Sequence, residues 1–210
     1  MKTEIFLVRH GETDWNKEGK FQGSTDIHLS KEGILQAHLL KDVFHNNFDS
    51  VYTSPLSRAM QTAEILCQDN AKVKPVVLEG LREINFGAWE GLTIMQIREQ
   101  YPAEYHTWRT DEVHGNLVGG DLTLRSASNR AKDAILNLAE KHTGEKIVMV
   151  AHGGIIKAAL IGIFDWKMTM YHRFFLGNTS VSKISIGNSN VPILVTLNDT
   201  SHLPEIYSPV

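Results

Sequence analysis

The stretch Ile5 Phe6 Leu7 Val8 Arg9 His10 Gly11 Glu12 Thr13 lies close to the N-terminus and decides the fold. Four apolar residues, three of them β-branched or aromatic, stop at a cation, an imidazole and a glycine. That is the pattern of a buried strand whose C-terminal end opens into a site. Lys146 Ile147 Val148 Met149 Val150 Ala151 His152 Gly153 Gly154 repeats the design far downstream. Ligands in open α/β sheets bind outside the carboxyl ends of the strands, so His10 and His152 are expected to share one pocket.

Working outward, Asp14 to Gln22 is polar, a surface loop with a short helical turn that hangs over the end of the first strand. Ser30 caps a helix running to about Asn46, with Ile34, Leu35, Leu39, Val43 and Phe44 as its apolar face. Val51 Tyr52 Thr53 is a second strand, broken by Ser54 Pro55. The helix from Leu56 to Gln68 turns Ala59, Met60, Ala63, Leu66 and Cys67 inward and carries Arg58 in its first turn. Pro75 to Leu78 makes a third strand. Thr93 is expected to cap a helix through Gln100, a second short helix covers Ala103 to Arg109, and a polar loop over Asp111 to Gly119 is placed to act as a lid. Leu122 to His142 is the longest helical pattern, with Ala127, Ala131, Ile135, Leu138 and Ala139 on one buried face, and Ile155 to Ile163 is the helix after the second organising strand. Val181 to Ile186 and Val191 to Leu197 read as a strand pair around a hairpin-like turn. Strands alternating with helices predict a three-layer α/β/α sandwich with a mostly parallel sheet and an antiparallel edge. It forms a single domain over residues 1–210, with residues 84–120 as a cap over the site.

The formal charge of -3 over 210 residues shows no basic stripe of the kind that neutralises a nucleic-acid backbone. A small anionic substrate needs only a local cluster. The single cysteine, Cys67, rules out an intrachain disulfide and a thiolate metal cluster; its neighbours Ala63 and Leu66 make it a buried packing residue. The apolar run ending at Arg9 is too short for a signal h-region or a membrane span, which leads to a cytoplasmic expectation with no membrane partner.

Two guanidiniums, Arg9 and Arg58, and two imidazoles converge on strand and helix ends with no metal-ligand spacing, and converging cations call for an anion. A phosphoryl group fits, because the guanidinium fork matches its oxygens and helix starts near Gly153 and Leu56 offer N–H groups and a positive dipole end. An imidazole facing phosphorus is a competent nucleophile. Glu83, on the tight loop Arg82 to Gly91, is the best proton donor for the leaving oxygen, in a partly dry setting that raises its pKa. The bland alternative is a loop carboxylate paired with Arg82.

Together these segments closely resemble the histidine phosphatase superfamily, in the branch of the phosphoglycerate mutases and related small-molecule phosphatases. The resemblance is carried by Leu7 to Thr13, Asn16, Gln22 Gly23, Thr53 to Ala59 with Gln61 Thr62 Ala63, Leu81 Arg82 Glu83, Phe86 Gly87, Trp89 Glu90 Gly91 and Ala151 to Gly154. It implies a phosphoglycerate mutase-like fold, His10 as phosphorylated nucleophile, Glu83 as proton donor, and Arg9, Asn16, Arg58 and His152 as a phosphate pocket that Gln22, Gly23 and Gly153 complete. It implies no cofactor and no metal. Gly119 Gly120 Asp121 resembles the family's Gly-Gly-Glu segment, with Asp in place of Glu.

A phosphatase and a cofactor-dependent phosphoglycerate mutase remain to be separated. Between Ile84 and Gly119 the acids Glu90, Glu99, Glu104, Asp111 and Glu112 outnumber Arg98 and Arg109, a poor cap for a strongly anionic substrate. Mutases resembling this branch also carry a longer basic insert here. The expectation is therefore hydrolysis of a small phosphate ester, in the manner of the broad-specificity or α-ribazole phosphatases, with Trp89, His106, Trp108 and His114 as an aromatic entrance or, alternatively, with Trp89 and Trp108 as packing beneath the short helices. A non-catalytic binding protein on the same fold would have no use for the full chemical set. A metal hydrolase would need carboxylate ligands beside His10 and His152. Phe174, Phe175 and Ile206 are candidates for covering a sheet edge or meeting a second copy in a homodimer.

Overall fold

The computed structural model describes residues 2–117, 120–121 and 123–205. One six-stranded sheet organises them, with strands β1 (Thr3–Arg9), β2 (Ser50–Thr53), β3 (Pro75–Val77), β4 (Lys146–Ala151), β5 (Val181–Ile186) and β6 (Pro192–Asp199) in the spatial order β3-β2-β4-β1-β5-β6. The first four are mutually parallel and β5 and β6 are antiparallel, which is the expected mixed sheet.

The period of two divides the central strands between two cores. Ile5 and Leu7 of β1 and Ile147, Met149 and Ala151 of β4 face one layer, which holds α6 (Leu124–Lys141) and α7 (Gly153–Ile163). Val8, Val148 and Val150 face the other, with α2 (Lys31–Phe44) and α3 (Ser57–Leu66). The remaining helices are α1 (Asp14–Lys17), α4 (Ile94–Gln100) and α5 (Pro102–Thr110), the last with proline in its first turn. Side-chain caps set several of these starts. Ser30 accepts from the Gly33 N–H, and Thr13, Thr93 and Thr123 each close a reciprocal box with the third residue of their helix, a device worth about 1 kcal/mol each. Asp121 takes no part in capping α6; it accepts from the Asn85 N–H and pairs with Arg130.

The inward face of α2 differs from the expected one. Gly33, Gln36, Ala37, Leu40 and Phe44 are buried, whereas Ile34, Leu35 and Val43 are exposed. The turn after β1 orients this helix more than its aliphatic bulk does. A Cβ on Gly33 would stand 2.0 Å from the Glu12 carbonyl oxygen, so only glycine lets the helix lie against that turn. Gln36 then accepts from the Glu12 N–H at 2.9 Å. In α3 Ala59, Ala63 and Leu66 are inward and Met60 is half-buried. Cys67, just beyond α3, is buried, and burial pushes its thiol up to about 11. Part of the expected lid, residues 118 and 119, and Ile206 lie outside the described residues.

Candidate active site

β1 and β4 are neighbours in register, Arg9 beside Ala151, and the His10 N–H donates to the Ala151 carbonyl at 2.9 Å. The two histidines therefore stand side by side just past the strand ends, with ring centroids 5.1 Å apart. His10 Nδ1 lies 2.6 Å from the Gly11 carbonyl oxygen, which can only accept. Nδ1 therefore carries the proton and Nε2 keeps its lone pair. Burial, then Arg58 and Arg9, hold the His10 pKa well below the ordinary value, which keeps the ring neutral.

His152 is engaged on both sides of its ring. Its Nδ1 accepts from Arg58 Nε at 3.1 Å, and its Nε2 lies 2.7 Å from Ser54 Oγ, to which it donates. Fully buried, it does not line the cavity, so the direct phosphate contact expected of it is not offered in this geometry; it aims Arg58 instead. Burial and Arg58 depress its pKa strongly, and burial holds His172 at about 4. The consequence for stability has a definite sign. An unfolded chain binds protons at these histidines below its ordinary pKa of about 6.5 while the folded chain does not, so each one costs about 1.4 kcal/mol per pH unit of acidification. Urea unfolding between pH 7 and pH 5 is expected to show stability constant above about 6.5 and falling by several kcal/mol below it. A flat profile would mean that these rings are charged in the native state.

Arg58 is fully buried, and three of its five N–H groups are committed: Nε to His152, Nη1 to the Thr25 carbonyl at 2.8 Å and Nη2 to the Gly23 carbonyl at 2.7 Å. Two remain for a ligand. The loop that receives them is held from behind by Glu90, which accepts from the N–H groups of Ser24, Thr25 and Phe86. Gly23 has a φ of +54°, and a Cβ there would meet the Glu90 carboxylate at 2.0 Å. Arg9 gives Nη1 to the Leu176 carbonyl at 2.6 Å and keeps its buried Nε without a partner, against the open edge of Gly153. Asn16 Oδ1 is occupied by the Thr13 N–H and by Asn178 Nδ2, which leaves the Asn16 amide N–H₂ as its free side. Asn178 also donates to the His10 carbonyl. No pattern near it marked it in advance.

Glu83 is buried at the start of α7 and accepts from the N–H groups of Gly154 at 3.0 Å, Ile155 at 2.7 Å and Ile84 at 2.9 Å. Burial nonetheless raises its carboxyl above the ordinary value, against the pull of Ile84, Arg58 and those α7 amides. Arg82 turns to Glu79 rather than to Glu83. Several of the helix-start amides expected to meet a phosphate are thus occupied. Gly154 and Ile155 of α7 serve Glu83, and the Ser57 N–H at the start of α3 donates to Asp26.

Arg9, His10, Asn16, Gln22, Gly23, Arg58, Glu83 and Gly153 all line one cavity of about 690 Å³. Its aromatic wall differs from the expected one. Trp108 contributes, but Trp89 is fully buried packing, and His106 and His114 lie outside. Phe21, Phe86, Tyr171 and Phe174 take their places, so Phe174 and Phe175 are cavity residues rather than sheet-edge cover. The acidic count over residues 84–119 does not describe the cavity either. Lys20, Arg109, Lys157 and Arg173 join Arg9 and Arg58 around the one carboxylate, Glu83.

The histidine phosphatase superfamily (branch 1) pattern matches residues 5–200. The chain belongs to that superfamily. Among curated relatives of this histidine phosphatase, phosphoserine phosphatase 1 of Hydrogenobacter thermophilus is 31% identical over 97% of this chain and 96% of its own. A crystal structure of phosphoserine phosphatase from Entamoeba histolytica in complex with 3-phosphoglyceric acid superposes with a TM-score of 0.89 at 36% identity, covering 96% of this chain and 100% of that one. A histidine-to-alanine mutant of the Entamoeba enzyme, in complex with phosphoserine, gives 0.90 with the same identity and coverage. The chain is a phosphoric monoester hydrolase of this superfamily.

Proposed function

We propose that the chain hydrolyses small phosphomonoesters of the phosphoserine type, without a metal, through a phosphohistidine formed on His10. The observation that carries this reading is the bare Nε2 of His10, fixed by the Nδ1 to Gly11 hydrogen bond at the floor of a cationic cavity. In the first step Nε2 attacks phosphorus in line, the P–O ester bond breaks, and Glu83 gives its proton to the leaving alcohol oxygen. In the second, Glu83 takes a proton from water as the water oxygen attacks phosphorus and the P–N bond breaks, releasing orthophosphate and neutral His10. Arg9, Arg58 and Asn16 hold the oxygens on which charge grows, with Gln22, Gly23 and Gly153 closing the cradle and His152 aiming Arg58. Residues 84–120 act as the cap; Phe86, Trp108 and Arg109 bring it to the cavity wall.

The phosphoserine type is favoured by the names of the relatives and by the cations that ring the cavity. A cytoplasmic location and a homodimer complete the proposal. The first is supported by the single, buried, unpaired Cys67, the second by the exposed Ile193, Val195 and Leu197 on the edge strand β6. Rapid quenching of the enzyme with phosphate-labelled phosphoserine in excess chelator is the test. An alkali-stable, acid-labile label on the peptide containing His10 is expected, and turnover that stops in chelator or leaves no label would refute the mechanism.

A further inference from the structure

Lys157 lies four residues, about one turn, beyond Gly153 on α7 and therefore on the same face of that helix. It lines the cavity half-buried, its ammonium 5.2 Å from the Tyr171 ring and 5.6 Å from the Phe174 ring. Its one hydrogen bond is a long one, 3.3 Å to the Tyr171 carbonyl, and among the described residues no carboxylate lies within ion-pair distance. An ammonium has three donors, so two are unspent and partly withdrawn from water. Arg109 and Arg173 are exposed at the mouth, and with Lys157 they bear electrostatically on His172, which places the three cations in one cluster. Burial, then Arg9, draws the Lys157 pKa down to about 8 against the pull of Glu83.

We propose that Lys157 is the specificity-determining residue of the upper cavity and that its ammonium binds a carboxylate carried by the leaving alcohol. This rests on the phosphatase reading and names the feature of the substrate that Lys157 recognises. From ester oxygen to carboxylate carbon through two carbons spans about 4 Å at about 1.5 Å per bond, and Arg9, Gly153 and Lys157 line the same cavity. The two unspent donors of the Lys157 ammonium match the two oxygens of a carboxylate.

Phosphoserine and phosphoethanolamine share phosphate and amine and differ by the carboxylate, so the ratio of their kcat/KM values isolates it. The wild-type preference for phosphoserine is expected to collapse about tenfold to hundredfold in Lys157→Met, chiefly through KM, and to return in part in Lys157→Arg. An unchanged ratio, or a parallel fall for both esters, would overturn the assignment. Equilibrium binding of both esters to His10→Ala and to His10→Ala/Lys157→Met separates the two readings. Loss of carboxylate preference with Lys157 in that pair upholds the inference even if the wild type turns over neither ester, a result that would refute the phosphatase reading alone. Equal preference in the pair refutes the inference.

Discussion

His10→Ala is expected to lower kcat/KM by about 10⁴-fold or more, because it removes the bare Nε2 held beside Arg9 and Arg58 that attacks phosphorus in the proposed mechanism. His152 cannot substitute. Its Nδ1 is capped by Arg58 and its Nε2 is turned to Ser54. The anion site itself should persist, since Arg9 and Arg58 are anchored on the carbonyls of Leu176, Gly23 and Thr25 rather than on His10. The variant should therefore still bind inorganic phosphate by calorimetry while giving no phosphoenzyme. Residual turnover within tenfold of wild type would show that water attacks the ester directly.

Glu83→Gln is expected to cost about 10² to 10⁴-fold on alkyl phosphates and far less on an aryl phosphate, whose leaving oxygen departs without a proton. The pH dependence follows from the sign of the shift. Burial raises the Glu83 pKa, so its acid form persists to higher pH than an ordinary carboxyl, and kcat/KM for an alkyl ester should fall as pH climbs through that raised value. The limb should be absent in the Gln variant and weak for the aryl ester. Equal losses on both ester classes would assign Glu83 to binding or to structure, its three amide contacts to the chain being the evident reason.

The sheet and the floor of the site were legible from local pattern. Strands that stop at Arg-His-Gly and His-Gly announce both their burial and their open ends. Caps at Ser30 and Thr93 were equally readable, being encoded in one residue and its third neighbour. The α2 face was not, because Gly33 and Gln36 are turned inward by a turn some twenty residues earlier, and side-chain hydrophobicity carries no record of that contact. The charge of the cavity was misread for a related reason. Arg109, Lys157 and Arg173 come from three separate segments, and a count along the segment nearest the site sees only Arg109. The occupants of helix-start amides were hidden likewise: Glu83 lies about seventy residues before α7.

The order β3-β2-β4-β1-β5-β6 puts the N-terminal strand between two partners, β4 and β5, that are made after β2 and β3. A nascent chain lacking β4 can assemble only β2 with β3, while β1 waits with both edges unpaired and His10 has no floor beneath it. Closing that gap joins residues some 140 positions apart, a slow and entropically costly pairing. Catalytic competence therefore arrives in a single late event rather than by degrees, and until then a strand with four consecutive apolar residues is a cohesive edge open to the wrong partner.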